Sequence, residues 1–263
     1  MEKIHRCVQV NIPFTMLWDR YADAFLSRGL NPEIGIDAAA LDRFSAAEFG
    51  EMATRFQKSG LKVTLHGPFS DLSPGSIDPL IRSATRKRFE QLLDVVSIFK
   101  PISVVCHAGY EWKRYGYLYE EWFRQSLEMW RWLAEEINKQ DCRLMLENVY
   151  ESGPEDLVPL FRELQPHNVG FCLDTGHQSA FSRTSLNSWL VELGHNLGQV
   201  HLHDNFGDQD QHLALGCGGI DFSILFRHLR SHFSEGPPVI TLEPHTEDAL
   251  EPSLAYLSAI WPW

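Results

Sequence analysis

Two rhythms of hydrophobic and polar positions alternate along the chain. Short apolar runs are followed by longer stretches in which apolar residues recur every third or fourth position, the spacing of one helix face. The runs predict strands at Cys7 to Pro13, Pro32 to Ile36, Leu61 to His66, Ile102 to Cys106, Arg143 to Leu146, Val169 to Leu173, Leu197 to Leu202 and Val239 to Leu242. Helices are expected at Thr15 to Ser27, Ser45 to Ser59, Asp78 to Phe99, on a segment reaching Lys139, at Pro154 to Leu164 and Leu186 to Leu193, after Ile220-Asp221-Phe222, and at Glu247 to Ile260. Local chemistry marks several ends. Ser45 and Glu48 have capping-box spacing, Gly29 and Gly60 stand where helices stop, and Pro154 occupies an early helical position.

These are eight β-then-α units with no linker or low-complexity tract between them. Such alternation implies parallel strands joined by right-handed crossovers. An open doubly wound sheet usually stops at about six or seven strands. A closed (β/α)8 TIM barrel, one domain over residues 1–263, is therefore the expected fold, and 263 residues suit it.

Strands three to eight run into His66, His107, Glu147, Asp174, His201 and Glu243. In a barrel these ends converge on the catalytic face. His177 stands three residues after Asp174. After the seventh strand, Asp204, Asn205 and Gly207 supply turn chemistry, and Asp210 and His212 follow, two apart, so that an extended segment would aim both at one point. Imidazole and carboxylate are the donors that Zn²⁺ or Mn²⁺ takes. Nine such side chains are too many for one ion, which points to more than one.

Composition narrows the partners. With 23 Lys+Arg against 35 Asp+Glu the net charge is −12, a field that repels nucleic acid and anionic membranes. The basic residues expected near the mouth are Lys113 and Arg114, with Arg82 and Arg86 on the third helix. The cysteines Cys7, Cys106, Cys142, Cys172 and Cys217 are odd in number and form no C-x-x-C pair; most lie in or beside apolar runs, so reduced, structural thiols in a cytoplasmic protein are expected. No signal-like segment or membrane-length apolar run is present. Tyr110, Trp112, Tyr115, Tyr117, Tyr119 and Trp122 follow the fourth strand, placed either to stack a sugar or base or to pack beneath their helix.

The motifs His66-Gly67-Pro68, His107-Ala108-Gly109, Leu146-Glu147-Asn148, Leu173-Asp174-Thr175-Gly176-His177, His201-Leu202-His203-Asp204, Asp210-Gln211-His212 and Leu242-Glu243 together resemble those of the xylose isomerase-like TIM barrels. That superfamily contains sugar isomerases and epimerases alongside endonuclease IV. The resemblance implies one divalent ion on Glu147, Asp174, His201 and Glu243 in the isomerase manner. In the endonuclease IV manner it implies three: His66, His107 and Glu147 hold the first; Glu147, Asp174, His201 and Glu243 the second; His177, Asp210 and His212 the third. One to three Zn²⁺ or Mn²⁺, or else Mg²⁺ or Co²⁺, are thus expected. For His203 a supporting or packing role is expected.

Two activities follow. One is hydrolysis of a small phosphoester or phosphodiester at a multinuclear site. The long loop Gly67 to Asp78 resembles that of a branch cleaving the nucleotide-loop phosphodiester of cobamides. The other is isomerisation or epimerisation of a sugar or sugar phosphate, with Glu147 and Glu243 as the catalytic acid/base pair. A metal-binding barrel without catalysis is a third class. A small phosphorylated or sugar-like substrate is expected, with no duplex nucleic acid and no membrane partner.

Overall fold

The computed structural model describes residues 2–263. Eight parallel strands close into a barrel in chain order: β1 (Gln9–Pro13), β2 (Asn31–Gly35), β3 (Thr64–His66), β4 (Ser103–His107), β5 (Arg143–Glu147), β6 (Gly170–Asp174), β7 (Leu197–Leu202) and β8 (Val239–Leu242). β1 returns to β8 through Gln9–Thr241 and Val10–Leu242, so no sheet edge stays open. Helices cover the outside, and the main apolar core lies between them and the strands.

Most elements stand where the pattern puts them, and the departures have local causes. β3 begins at Thr64 instead of Leu61, because the Lys62 N–H is taken by the Asn31 side chain at 2.9 Å and not by a neighbouring strand. The first long helix contains a π turn, Leu17–Tyr21, and stops at Gly29, whose φ of 66° suits a residue without Cβ. Ser45 and Glu48 form the expected capping box on Ala46–Lys58. Four short helices were not foreseen: Glu2–His5, Ala38–Arg43, Trp112–Tyr115 and Thr175–Phe181. Cys7 is exposed rather than packed as a small hydrophobe; Cys106, Cys142 and Cys172 are buried, and all five thiols are free. No helix among the described residues is long and apolar enough to cross a membrane.

The barrel interior is more polar than its exterior core. Val105, Met145 and Cys172 form a small apolar plug. Beside it Glu33, Thr64, Ser103, Gln199 and Thr241 are buried yet joined by hydrogen bonds, among them Ser103 Oγ to Gln199 Oε1 at 2.7 Å and Thr64 Oγ1 to Glu33 Oε2 at 3.1 Å. Buried polar atoms tied in this way avoid the cost of desolvation without a partner.

Candidate metal centre

Strand register assembles the site. Parallel pairing sets His107 opposite Glu147 and Asp174 opposite His201, at the C-terminal ends of β4 to β7. Glu147 lies at the middle. Its Oε2 faces His66 Nε2 at 3.1 Å and His107 Nε2 at 3.6 Å, and its Oε1 faces His177 Nδ1 at 3.2 Å and His201 Nδ1 at 3.4 Å. His201 Nδ1 is also 3.0 Å from Glu243 Oε1 and 3.9 Å from Asp174 Oδ2. On the far side Asp210 Oδ2 meets His177 Nε2 at 3.3 Å and His212 Nε2 at 3.1 Å. All nine residues singled out in the sequence therefore converge. They include His66, His107 and Glu147 in one group able to hold a cation, Glu147, Asp174 and His201 in a second, and His177, Asp210 and His212, together with His203, in a third.

The route for Asp210 and His212 is not the extended segment that their spacing suggested. His212 has φ of 47°, a left-handed residue in a loop folded around Asp204. The Asp204 carboxylate accepts the N–H groups of Asn205, Gly216, Gly218 and Ile220. That single buried acid shapes the loop that delivers both side chains. Asp174 and His177 are coupled differently: Asp174 is the N-cap of Thr175–Phe181, accepting the His177 N–H at 2.6 Å.

Four of the five imidazoles among these nine residues, those of His66, His177, His201 and His212, have one nitrogen tied down and the other aimed inward. Backbone carbonyls accept from His66 Nδ1 (Gly67, 2.9 Å), His177 Nδ1 (Asn148, 3.1 Å) and His212 Nδ1 (Glu243, 3.1 Å). His201 differs, its Nε2 lying 2.9 Å from the Glu33 carboxylate inside the barrel. Such contacts select the tautomer and leave a lone pair for a cation. Glu33 was missed in the sequence; the signal available was a carboxylate within an apolar strand run.

His203 joins the site from behind. Its Nε2 lies 3.1 and 3.2 Å from the two Asp174 oxygens, and its ring stacks on His212 with centroids 3.7 Å apart and planes 7° from parallel. Rings stacked face to face hold their lone pairs in parallel planes, so an ion in the plane of His212 lies out of the plane of His203. The place is made by Gly176, since a Cβ there would come within 1.9 Å of the His203 ring.

Five carboxylates, those of Glu33, Glu147, Asp174, Asp210 and Glu243, thus share one pocket with imidazoles, and among the described residues no Lys or Arg pairs with them. Burial disfavours the Glu147 charge, but His201, helped by hydrogen bonds from His177 and His201, outweighs it and holds the carboxyl well below its usual range. Burial likewise opposes the His201 charge, yet Cys172, Glu33, Glu243 and Glu147 raise its pKa well above normal. His107, where burial prevails, is pushed down to about 3. His201 Nδ1, His203 Nδ1 and Asp210 Oδ1 remain buried without a hydrogen-bond partner. Excess carboxylate, oriented lone pairs and orphaned donor atoms at one point fit a cation centre.

Glu151, at the edge of this region, provides a pH signature. Its Oε2 accepts the Val149 N–H at 2.6 Å, and burial pushes its pKa from 4.5 to about 8. The folded state therefore keeps a proton that the unfolded chain releases, and stability falls as pH rises between those two values. Glu151→Gln should remove that loss. Urea titrations should show the variant gaining a few kcal/mol on wild type between pH 5 and pH 8; parallel pH profiles would rule the assignment out.

A cavity of about 1000 Å³ opens above the cluster, lined by His66, His107, Glu147, His177, Asp210, His212 and Glu243. Phe69, half exposed, stacks on His107 at 4.3 Å. Of the aromatic run after β4, Tyr110, Tyr115 and Trp122 are packed, and the Trp122 indole donates to Gly109 O at 3.0 Å. Among the described residues, Arg114 is the one Lys or Arg in the lining. Arg82 is turned onto the Ser76 and Ile77 carbonyls and Arg86 onto Trp132, and neither lines the cavity.

Residues 32–260 match the family model for xylose isomerase-like TIM barrels. The chain belongs to that family. Among relatives in this xylose isomerase-like group, a probable endonuclease 4 of Symbiobacterium thermophilum is 28% identical over 261 residues, covering 90% of this chain and 86% of that one. The structure of the TTHB071 protein from Thermus thermophilus, soaked with ZnCl2, superposes with a TM-score of 0.82 at 28% identity, over 97% of this chain and 98% of that one. A D-tagatose 3-epimerase-like protein shares the fold at a TM-score of 0.80 and 20% identity, with 96% of each chain covered.

Proposed function

We propose that this chain is a divalent-metal-dependent hydrolase of a small phosphodiester in a nucleotide-like molecule, the nucleotide loop of a cobamide being the specific candidate. The observation that carries the reading is the sharing of Glu147 between adjoining groups of donors, with a further group at His177, Asp210 and His212 that single-ion chemistry does not need. His66, His107 and Glu147 would hold one cation, Glu147, Asp174, His201 and Glu243 a second, and His177, Asp210 and His212 a third, Zn²⁺ or Mn²⁺ suiting this donor set. Bound there, the cations supply Lewis acidity that neutralises charge on the phosphate oxygens. The protein's own groups do the rest. Glu243, 10% exposed at the cavity floor, takes the proton of the attacking water as the new P–O bond forms, and returns it to the leaving oxygen as the ester P–O bond breaks. Arg114 at the wall meets the remaining phosphate charge, and Phe69 offers a face to a planar group. A lining with one Arg favours a small substrate over a duplex.

A second reading, sugar epimerisation, is favoured by one observation: the convergence of Glu147 and Glu243 on His201 Nδ1, at 3.4 and 3.0 Å, survives without the third group. There the two glutamates would act as acid and base across a sugar carbon. His212→Ala and Glu243→Ala separate the readings when assayed on bis-p-nitrophenyl phosphate and on a ketose panel. Near-complete loss of phosphodiester cleavage in both is the expected result, since each removes several kcal/mol from the transition state. Ketose turnover that survives His212→Ala but not Glu243→Ala would transfer the assignment to an epimerase.

A further inference from the structure

The four tied imidazoles are not equivalent. His66, His177 and His212 lean on backbone carbonyls that any sequence would provide. His201 leans on a side chain, Glu33, which comes from β2, across the barrel interior. Both residues are fully buried.

Glu33 is held as an acceptor from every direction. On Oε1 it faces His201 Nε2 at 2.9 Å and receives Asn11 Nδ2 at 3.3 Å. On Oε2 it receives the Thr64 and Thr241 hydroxyls, each at 3.1 Å, and the Gln199 amide. Ser103 donates to Gln199 Oε1 at 2.7 Å, which fixes that amide so that its NH₂ points to Glu33. Donors from β1, β3 and β7, with Thr241 of β8, thus saturate one carboxylate. A group so surrounded has no proton to offer, and His201 Nε2 must be the donor between them.

We infer that Glu33 is a positioning residue for the metal centre. By keeping the proton on His201 Nε2 it leaves the Nδ1 lone pair, buried and without a hydrogen-bond partner, aimed at the space between Glu147 and Glu243. Carboxylate–imidazole–metal arrangements of this kind orient the ring and raise its basicity, and their loss weakens metal affinity by about 10- to 100-fold. Glu33→Gln is nearly the same size, but its amide NH₂ can be presented to Nε2, which would favour a proton on Nδ1 and obstruct the ligand atom. Glu33 does not itself line the cavity; of its hydrogen-bond donors, Asn11 does.

The inference rests on the metal-centre reading, and the experiment keeps the two apart. Zinc content of wild type and Glu33→Gln is measured by elemental analysis, and affinity by competition with a chromophoric chelator, with circular dichroism as the control for folding. Wild type should bind zinc, and the variant should lose about 10- to 100-fold affinity at one site. In zinc-loaded wild type, long-range ¹H–¹⁵N NMR spectra should show His201 protonated at Nε2 alone. Equal zinc affinity in a folded Glu33→Gln overturns the role of Glu33 while leaving the metal centre intact. Absence of zinc binding by wild type overturns the metal-centre reading itself. Should Glu33→Gln fail to fold, the wild-type spectrum decides: a His201 Nε2 without a proton ends the inference.

Discussion

In Glu147→Gln, phosphodiester turnover should fall by at least about a thousandfold, the kinetic equivalent of several kcal/mol of lost transition-state stabilisation. Among the described residues, Glu147 joins the group of His66 and His107 to that of Asp174 and His201. Its two oxygens face His66, His107, His177 and His201 within 3.6 Å, and it belongs to two of the donor groups. An amide keeps the shape, halves the acceptor capacity and removes the charge that makes a bridging ligand. The loss should appear in kcat, with metal content reduced by more than one equivalent when wild type and variant are purified side by side. Were Glu147→Gln to keep full metal content and more than about a tenth of the rate, loss of an essential ligand could not be claimed, because the expected penalty is several kcal/mol.

Removing the metal should also destabilise the fold. Without cations, five neighbouring carboxylates are balanced only by histidines that take up protons, and Asp210, opposed by burial but favoured by His177 and His212, stays far below its usual range. A ligand at a hundred times its Kd adds about 2.7 kcal/mol to stability at each site. A chain of this size shifts in Tm by roughly 2–4 °C per kcal/mol. Exhaustive chelation should therefore lower Tm by on the order of 10 °C if two or more ions are lost, with recovery on adding Zn²⁺ or Mn²⁺. A Tm that does not move, in protein shown by elemental analysis to have lost its metal, would mean that the centre contributes nothing to folding.

Much of this was decided locally. β7 at Leu197–Leu202, β8 at Val239–Leu242 and the last helix at Glu247–Ile260 have the bounds that the hydrophobic pattern assigns, because each apolar stretch is closed by residues that do not continue it. The capping box of Ser45 and Glu48 is a contact three residues long and needs no distant partner. The ligand-type residues were legible for a geometric reason: once parallel strands close into a barrel, residues ending consecutive strands must share one face.

What the tertiary structure alone decided is everything set by groups remote in sequence. His212 and Asp210 meet through a left-handed backbone and a loop gathered on Asp204, not through the two-residue period of a strand. Arg82 and Arg86 are turned onto carbonyls and an indole that no local pattern reveals. Glu33 is the clearest case. Within its own strand it is a lone acid among apolar neighbours, and its donors lie 22 to 208 residues away at Asn11, Thr64, Gln199, His201 and Thr241. Periodicity records which face a side chain occupies; only closure of the barrel determines which distant atoms will meet it there.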